Sequence, residues 1–328
     1  MLTRFLSWKL GYCLGGILIL VLIPLGLPKG FFLHMMTVIL IWSLLCLSLN
    51  IIFGYTGQLS LAHGGLFGIG GYIYAILSTK LAMNFWMACP IAGIIAGIAG
   101  LLIGIPSLKL RGPYFVIVTL GFNIIIVAII RNLGITGGVD GLMRIPGFSI
   151  ISIPFLTINF ETGISKYYLI LLFFILALGI AYRTRNSFFG RCLLAIKEEE
   201  DLCESVGINT MSMKLQSFVL SSILAGLSGV LYVSYIGMIT PEDASFHIGF
   251  DALVYLTVGG IGTLLGTIIG PVVMITLAET FQVLAEGRLL LNGLALIVLI
   301  IFLPQGIIGG LLPVWKRYIA SEKSNGNK

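Results

Sequence analysis

Charged positions along the chain gather into short stretches, and between them run eight uncharged windows: 10–28, 30–79, 81–108, 112–130, 167–182, 215–241, 252–278 and 289–315. Together these windows hold 213 of the 328 residues. About 20 apolar residues wound as a helix cross the hydrocarbon core of a bilayer once. A helix also pairs its backbone polar groups within one segment, which lipid cannot do for it. The pattern therefore predicts an all-helical, polytopic membrane protein with one transmembrane domain over 1–328.

Windows longer than one crossing divide where glycine and proline let the chain turn. In the window 30–79, a helix over 31–53 is expected to turn at Gly54-Tyr55-Thr56-Gly57-Gln58 and return from 60 to about 77. Further spans are expected over 85–108, 113–130, 167–182, 215–238, 250–261, 264–285 and 289–302. Arg4 and Lys9 precede 10–28 as they would in a leader, but no small-residue cleavage site follows, so it reads as a retained first span. The total is about ten crossings.

Composition sharpens this picture. Apolar residues make up 58% and charged residues 10%, against about 25% charged in soluble chains, which excludes a soluble domain, a disordered chain or a nucleic-acid binder. The net charge of +6 then marks loops on the inner side of the membrane. With both termini inside, ten crossings place 13 basic residues in inner loops and 6 in outer ones, an asymmetry that supports this orientation. The long connection 183–214 falls on the cytoplasmic face and 131–166 on the outer face.

Several chemistries are missing. There is no phosphate-binding G-x-x-x-x-G-K-[ST], no H-E-x-x-H and no C-x-x-C pair, so no enzyme activity, cofactor or metal is expected. Cys13, Cys46, Cys89, Cys192 and Cys203 read as packing residues. Ionisable groups inside spans would suit an ion-coupled carrier, but only Glu279 lies well inside one, with Asp251 near an end.

Glycine is the conspicuous residue. Gly64, Gly65, Gly68, Gly70 and Gly71 crowd one segment, and Gly259, Gly260, Gly262, Gly266 and Gly270 another. Each glycine weakens a helix by about 1 kcal/mol relative to alanine, and close approach of neighbours is the return. The similar placement suggests a duplication with interrupted helices where substrate passes; tight packing without a pathway is the alternative. The candidates for the path are Gln58, Ser60, His63, Gly64, Gly65, Gly68, Gly259, Gly260 and Gly262.

The inner connection offers another candidate. Lys197, Glu198, Glu199, Glu200, Asp201, Leu202, Cys203, Glu204, Ser205 and Val206 are expected to form a short surface helix, acidic in its first turns where the macrodipole favours negative charge. Gly207 stands where a left-handed residue ends it, and Leu202 and Val206 give one apolar edge. Such a helix suits a groove in another protein, which is one way energy could enter; a solvated acidic linker is the alternative.

The run Leu47-Ser48-Leu49-Asn50-Ile51-Ile52-Phe53-Gly54-Tyr55-Thr56-Gly57-Gln58-Leu59-Ser60-Leu61-Ala62-His63-Gly64-Gly65 resembles the signature of LivM-type permeases, membrane subunits of branched-chain amino-acid importers driven by ATP-binding cassettes. Leu110-Arg111-Gly112-Pro113-Tyr114-Phe115, the stretch around 195–209, and Val258-Gly259-Gly260-Ile261-Gly262-Thr263 match in the same order. The resemblance implies a second permease subunit, two cytoplasmic ATP-binding subunits, a periplasmic substrate-binding protein, and a coupling helix at 197–207. Sister permeases carry urea, amides, ribose or nucleosides, and the family often has an acidic residue near Asn123. A stand-alone ion-coupled carrier is the competing class.

Overall fold

The computed structural model describes residues 30–149, 151–153, 156–158, 160, 162–280, 293 and 306–309. The expected first and last spans, 10–28 and 289–302, lie outside the described residues apart from Gly293. Ten α-helices are described: α1 (Phe31–Leu49), α2 (His63–Lys80), α3 (Phe85–Ser107), α4 (Pro113–Asn132), α5 (Gly163–Asn186), α6 (Phe188–Glu198), α7 (Glu200–Ser205), α8 (Thr210–Ile236), α9 (Phe246–Gly259) and α10 (Gly266–Thr280). α1 runs on through a π-helical turn, Asn50–Gly54. Together with that turn, α1 is long and apolar enough to cross a membrane, as are α3, α4, α5 and α8, while α9 and α10 are shorter apolar helices. The protein is an all-α polytopic membrane protein.

α8 is the axis of the bundle, packed against α1, α2 and α3. Small residues make these contacts possible. A Cβ on Gly70 of α2 would lie 2.2 Å from the Gly226 carbonyl oxygen of α8, and one on Gly226 would lie 2.3 Å from the Ala96 Cβ of α3. Lipid gives no hydrophobic drive for helices to associate, so close van der Waals contact between backbones has to supply it.

Segment 131–166 lies at the far end of α8 from α6 and α7. It holds the short strand β1 (Leu142–Met143), which pairs antiparallel with β4 (Met238–Ile239) just beyond α8, and a hairpin of β2 (Ile151–Ile153) with β3 (Leu156–Ile158). Tyr74 of α2 donates its hydroxyl proton to Pro146 O at 2.7 Å, and Arg131 pairs with Glu242. The segment is thereby tied to the ends of α2, α4 and α8.

Two expectations need correction. The turn expected at Gly54 comes later: helical winding continues through Tyr55 and Thr56, Gly57 takes a left-handed φ of 74°, and α2 starts at His63 rather than Ser60. The single helix expected over 197–206 is two. Lys197 and Glu198 end α6, Glu199 is extended (φ −149°, ψ 96°), and α7 begins at Glu200. α6 is set by Ser187, whose Oγ accepts from Gly190 N at 3.1 Å, and by the buried face Cys192, Leu193 and Ile196. After the break, Glu200 meets the Lys214 ammonium.

Candidate functional site

Two clusters carry the polar chemistry, and they adjoin at the α6–α7 end. The first surrounds the irregular stretch between α1 and α2. Ser221 of α8 donates to Ser48 O of α1 at 2.6 Å, and Ser217 reaches Ile51 O at 3.4 Å. His63, fully buried, stands 2.7 Å from the same Ser221 Oγ through Nε2. Because the hydroxyl's one proton goes to Ser48 O, Oγ accepts from His63 Nε2–H, and Nδ1 has no hydrogen-bond partner among the described residues.

His63 is thus level with Ser48, eight residues back from Thr56, or about 12 Å at 1.5 Å per residue. The segment 58–61 therefore climbs back into the bundle without helical hydrogen bonds, as irregular backbone at membrane depth does only where protein or a cavity surrounds it. Partners come from α4: Leu61 N donates to Thr119 Oγ1 at 3.2 Å, and Asn123 Nδ2 donates to Leu61 O at 3.3 Å. Thr119 and Asn123, one turn apart, are fully buried, although most of α4 is exposed or half-buried. Replacing Thr119 with valine orphans the Leu61 N–H. It is expected to lower stability by about 1–3 kcal/mol, read as thermal unfolding in detergent, while Thr119→Ser stays near wild type.

The path candidates lie here. Ser60 is buried with Oγ accepting from Ala62 N at 3.3 Å, and Gln58 is half-buried. Gly64, Gly65 and Gly68 are buried in α2, where a Cβ on Gly64 would fall 2.1 Å from Ser245 O and one on Gly68 would fall 2.2 Å from the Ala244 Cβ. Gly259, Gly260 and Gly262 form the α9–α10 turn, with Gly262 at φ 77°. The structure brings this turn against α1: Asn50 Oδ1 accepts from Gly262 N at 2.8 Å and Nδ2 donates to Thr263 O at 3.2 Å. The second glycine segment meets the end of α1.

The second cluster fixes α7. Lys214 at the start of α8 is 2% exposed, and its Nζ is 2.5 Å from Glu200 Oε1, itself 18% exposed. Thr210 Oγ1 donates its proton to Glu204 at 2.6 Å and lies 3.2 Å from Glu200. Arg111, between α3 and α4, pairs with Asp201 at 2.8 Å. That hydrogen bond, then the charges of Asp201 and Glu200, raises the guanidinium pKa above its ordinary value. Cys203 is buried, Leu202 and Val206 are 64% and 70% exposed, and Glu198 and Glu199 face solvent. Gly207 (φ 86°) ends α7 with Ile208 N donating to Cys203 O and Gly207 N to Glu204 O, both at 3.0 Å, the paired bonds of a Schellman close. Lys197 reaches across to donate to Gly54 O at 3.1 Å, joining the two clusters.

Asn50, Thr119, Asn123 and Lys214 were not among the sequence candidates. Their signal was a polar side chain inside or edging an uncharged window, with Thr119 and Asn123 at helical spacing. An apolar recess of about 310 Å³ between α3, α5 and α8, bordered by Trp86, Gly93, Phe173 and Leu227, offers no charge or hydrogen-bonding group comparable to these clusters.

Residues 31–303 match the family described as branched-chain amino acid transport system / permease component. The chain is 32% identical over 291 residues, 83% of its length, to the high-affinity branched-chain amino acid transport system permease protein LivM of Escherichia coli (strain K12), of which it covers 68%. It is 25% identical over 286 residues to BraD of Pseudomonas aeruginosa, covering 82% of this chain and 91% of that one. With LivH of Escherichia coli it shares 22% over 293 residues, with the same coverage. No solved structure gives a significant match. A family match across most of the chain, on a bundle of apolar helices with an interrupted helix start at its centre, makes this protein a member of the branched-chain amino acid transport system permease family.

Proposed function

We propose that the chain is one permease subunit of an ATP-driven importer in the inner membrane, moving branched-chain amino acids. A second permease subunit completes the path, two cytoplasmic ATP-binding subunits drive it, and a periplasmic binding protein delivers the substrate. The α6–α7 segment faces the cytoplasm with both termini and docks on an ATP-binding subunit; segment 131–166 faces the periplasm. The polar lining of 58–63, with Thr119 and Asn123, borders the route.

One observation supports this reading above the others. Leu202 and Val206, one helical turn apart, are 64% and 70% exposed on a segment outside the spans. The segment is held rigid from below by the buried Lys214–Glu200 pair. An exposed apolar edge on a fixed acidic support matches what a coupling element presents to a partner, and a solvated linker needs neither the edge nor the support.

Substituting both with arginine tests it. Exposed positions tolerate change within about 0.5 kcal/mol, so the chain is expected to insert and fold normally. Co-purification of the ATP-binding subunits and uptake of labelled leucine are expected to fall about tenfold or more, as loss of a central apolar contact does at protein interfaces. Unchanged uptake, or uptake that persists without the ATP-binding subunits, overturns the reading.

A further inference from the structure

We infer that Lys197, the Gly54 carbonyl and Asn50 form a relay that carries movement of the α6–α7 segment to the α9–α10 turn, with Asn50 as its positioning residue. This rests on the reading of α6–α7 as the segment that meets the ATP-binding subunit. No such role follows from the family match.

The relay is continuous in contact. Lys197, exposed at the last turn of α6, passes its stem over Gly57, where its Cγ lies 3.3 Å from the place of a Cβ, and its Nζ bonds Gly54 O at 3.1 Å. Gly54 closes the π-helical turn that Asn50 opens. A π turn differs from an α turn by one inserted residue, so displacing the Gly54 carbonyl alters the winding that aims Asn50. Gly54 also has to be glycine for the relay to close: a Cβ there would sit 2.1 Å from Asn50 Oδ1 and 3.0 Å from Gly262 Cα.

At its other end the relay grips a braced unit. Thr263 Oγ1 donates to Gly260 O at 2.8 Å and accepts from Gly266 N at 3.0 Å, so the turn holds its own shape. Asn50, fully buried, bonds that turn twice, to Gly262 N and Thr263 O. A two-point amide bond in a low-dielectric interior is directional and costly to leave unmade. When Gly54 moves, Asn50 therefore takes the turn with it, and α9 and α10 follow from that turn.

Spatial continuity alone does not establish coupling; a double-mutant cycle does. The experiment uses the whole transporter in proteoliposomes, with both permease subunits, both ATP-binding subunits and the binding protein. It reads ATP hydrolysed per leucine imported, alongside retention of the ATP-binding subunits. Lys197→Met is expected to raise that ratio about fivefold or more, the lower end of ordinary coupling between sites, with subunit retention unchanged, and Lys197→Arg is expected to restore it. Asn50→Ala is expected to raise the ratio further, and the double variant to match Asn50→Ala alone, because the residues act in series.

Losses that multiply in the double variant overturn the relay, as does a wild-type ratio in Lys197→Met. If Asn50→Ala fails to assemble, the Lys197 pair decides by the same ratio. Wild-type uptake that needs no ATP-binding subunit fails the functional reading instead, and subunit loss in Lys197→Met marks Lys197 as a docking residue, which also overturns the relay.

Discussion

Gly70→Val is expected to abolish accumulation of folded protein in the membrane, whereas the damage from Gly97→Ala one helix away is expected to be smaller and correctable. Both glycines sit at helix contacts, yet what faces them differs in kind. A Cβ on Gly70 would meet three backbone atoms of Gly226, at 2.2, 2.4 and 2.5 Å. Backbone cannot rotate aside, and no residue smaller than glycine can replace Gly226. α2 and α8 would have to separate along the bundle's central contact, with Gly226 already held against Ala96 on its other side. Overpacking in a core costs about 1–3 kcal/mol when side chains can adjust, and more is expected where none can. On Gly97 a Cβ would meet Ile223 Cγ1 at 2.6 Å, a side-chain atom that has little χ1 freedom in a helix but that a smaller residue removes. Ile223→Ala is therefore expected to rescue Gly97→Ala, while no substitution at Gly226 rescues Gly70→Val. Detergent-solubilised yield and monodispersity measure both, and a well-folded Gly70→Val protein would show that the α2–α8 contact is looser than the structure has it.

The contrast bears on what the sequence can reveal. Charge exclusion located α3, α4 and α8 within a few residues, because a span is defined by what lipid forbids, and that constraint is local. The start of α2 was misplaced because the stretch 58–61 is held open by Thr119 and Asn123, about sixty positions later, and no local propensity encodes a partner on another helix. At 197–206 the acidic run does mark a helix start, with Glu200 and Asp201 in the first turn of α7, but Lys197 and Glu198 belong to the end of α6, and the pairing of Glu200 with Lys214 beyond the break has no local signal. Gly207 was legible because a left-handed C-terminal residue is a local requirement. Asn50 was not. Within the motif that carried the family resemblance it looked like one polar position among apolar ones, and only its two bonds to the α9–α10 turn give it a task.

The buried end of the coupling segment leads to the other large effect. Lys214→Met is expected to destabilise the protein by about 1–3 kcal/mol, because it leaves the largely buried Glu200 carboxylate without its closest partner, whereas Arg111→Met is expected to cost less than about 1 kcal/mol. Both cations face the same acidic helix, and solvent separates their fates. Lys214 is 2% exposed and Glu200 18%, at 2.5 Å; Arg111 and Asp201 are 58% and 77% exposed, so water and salt screen their 2.8 Å contact. Without Lys214, the Glu200 carboxylate keeps, among the described residues, Thr210 Oγ1 at 3.2 Å, shared with Glu204, and a guanidinium nitrogen 3.9 Å away, and the chain around Glu199 is expected to open to protease before the spans unfold. Adding Glu200→Gln removes the stranded charge and is expected to recover more than half of the loss, since the cost lies in the unpaired carboxylate rather than in the missing bond. Differential scanning in detergent, with limited proteolysis of 199–209, reads each step. Equal shifts for Lys214→Met and Arg111→Met would mean that the pair is hydrated in the membrane, and that the rigidity attributed to the coupling segment comes from the buried face of α6 instead.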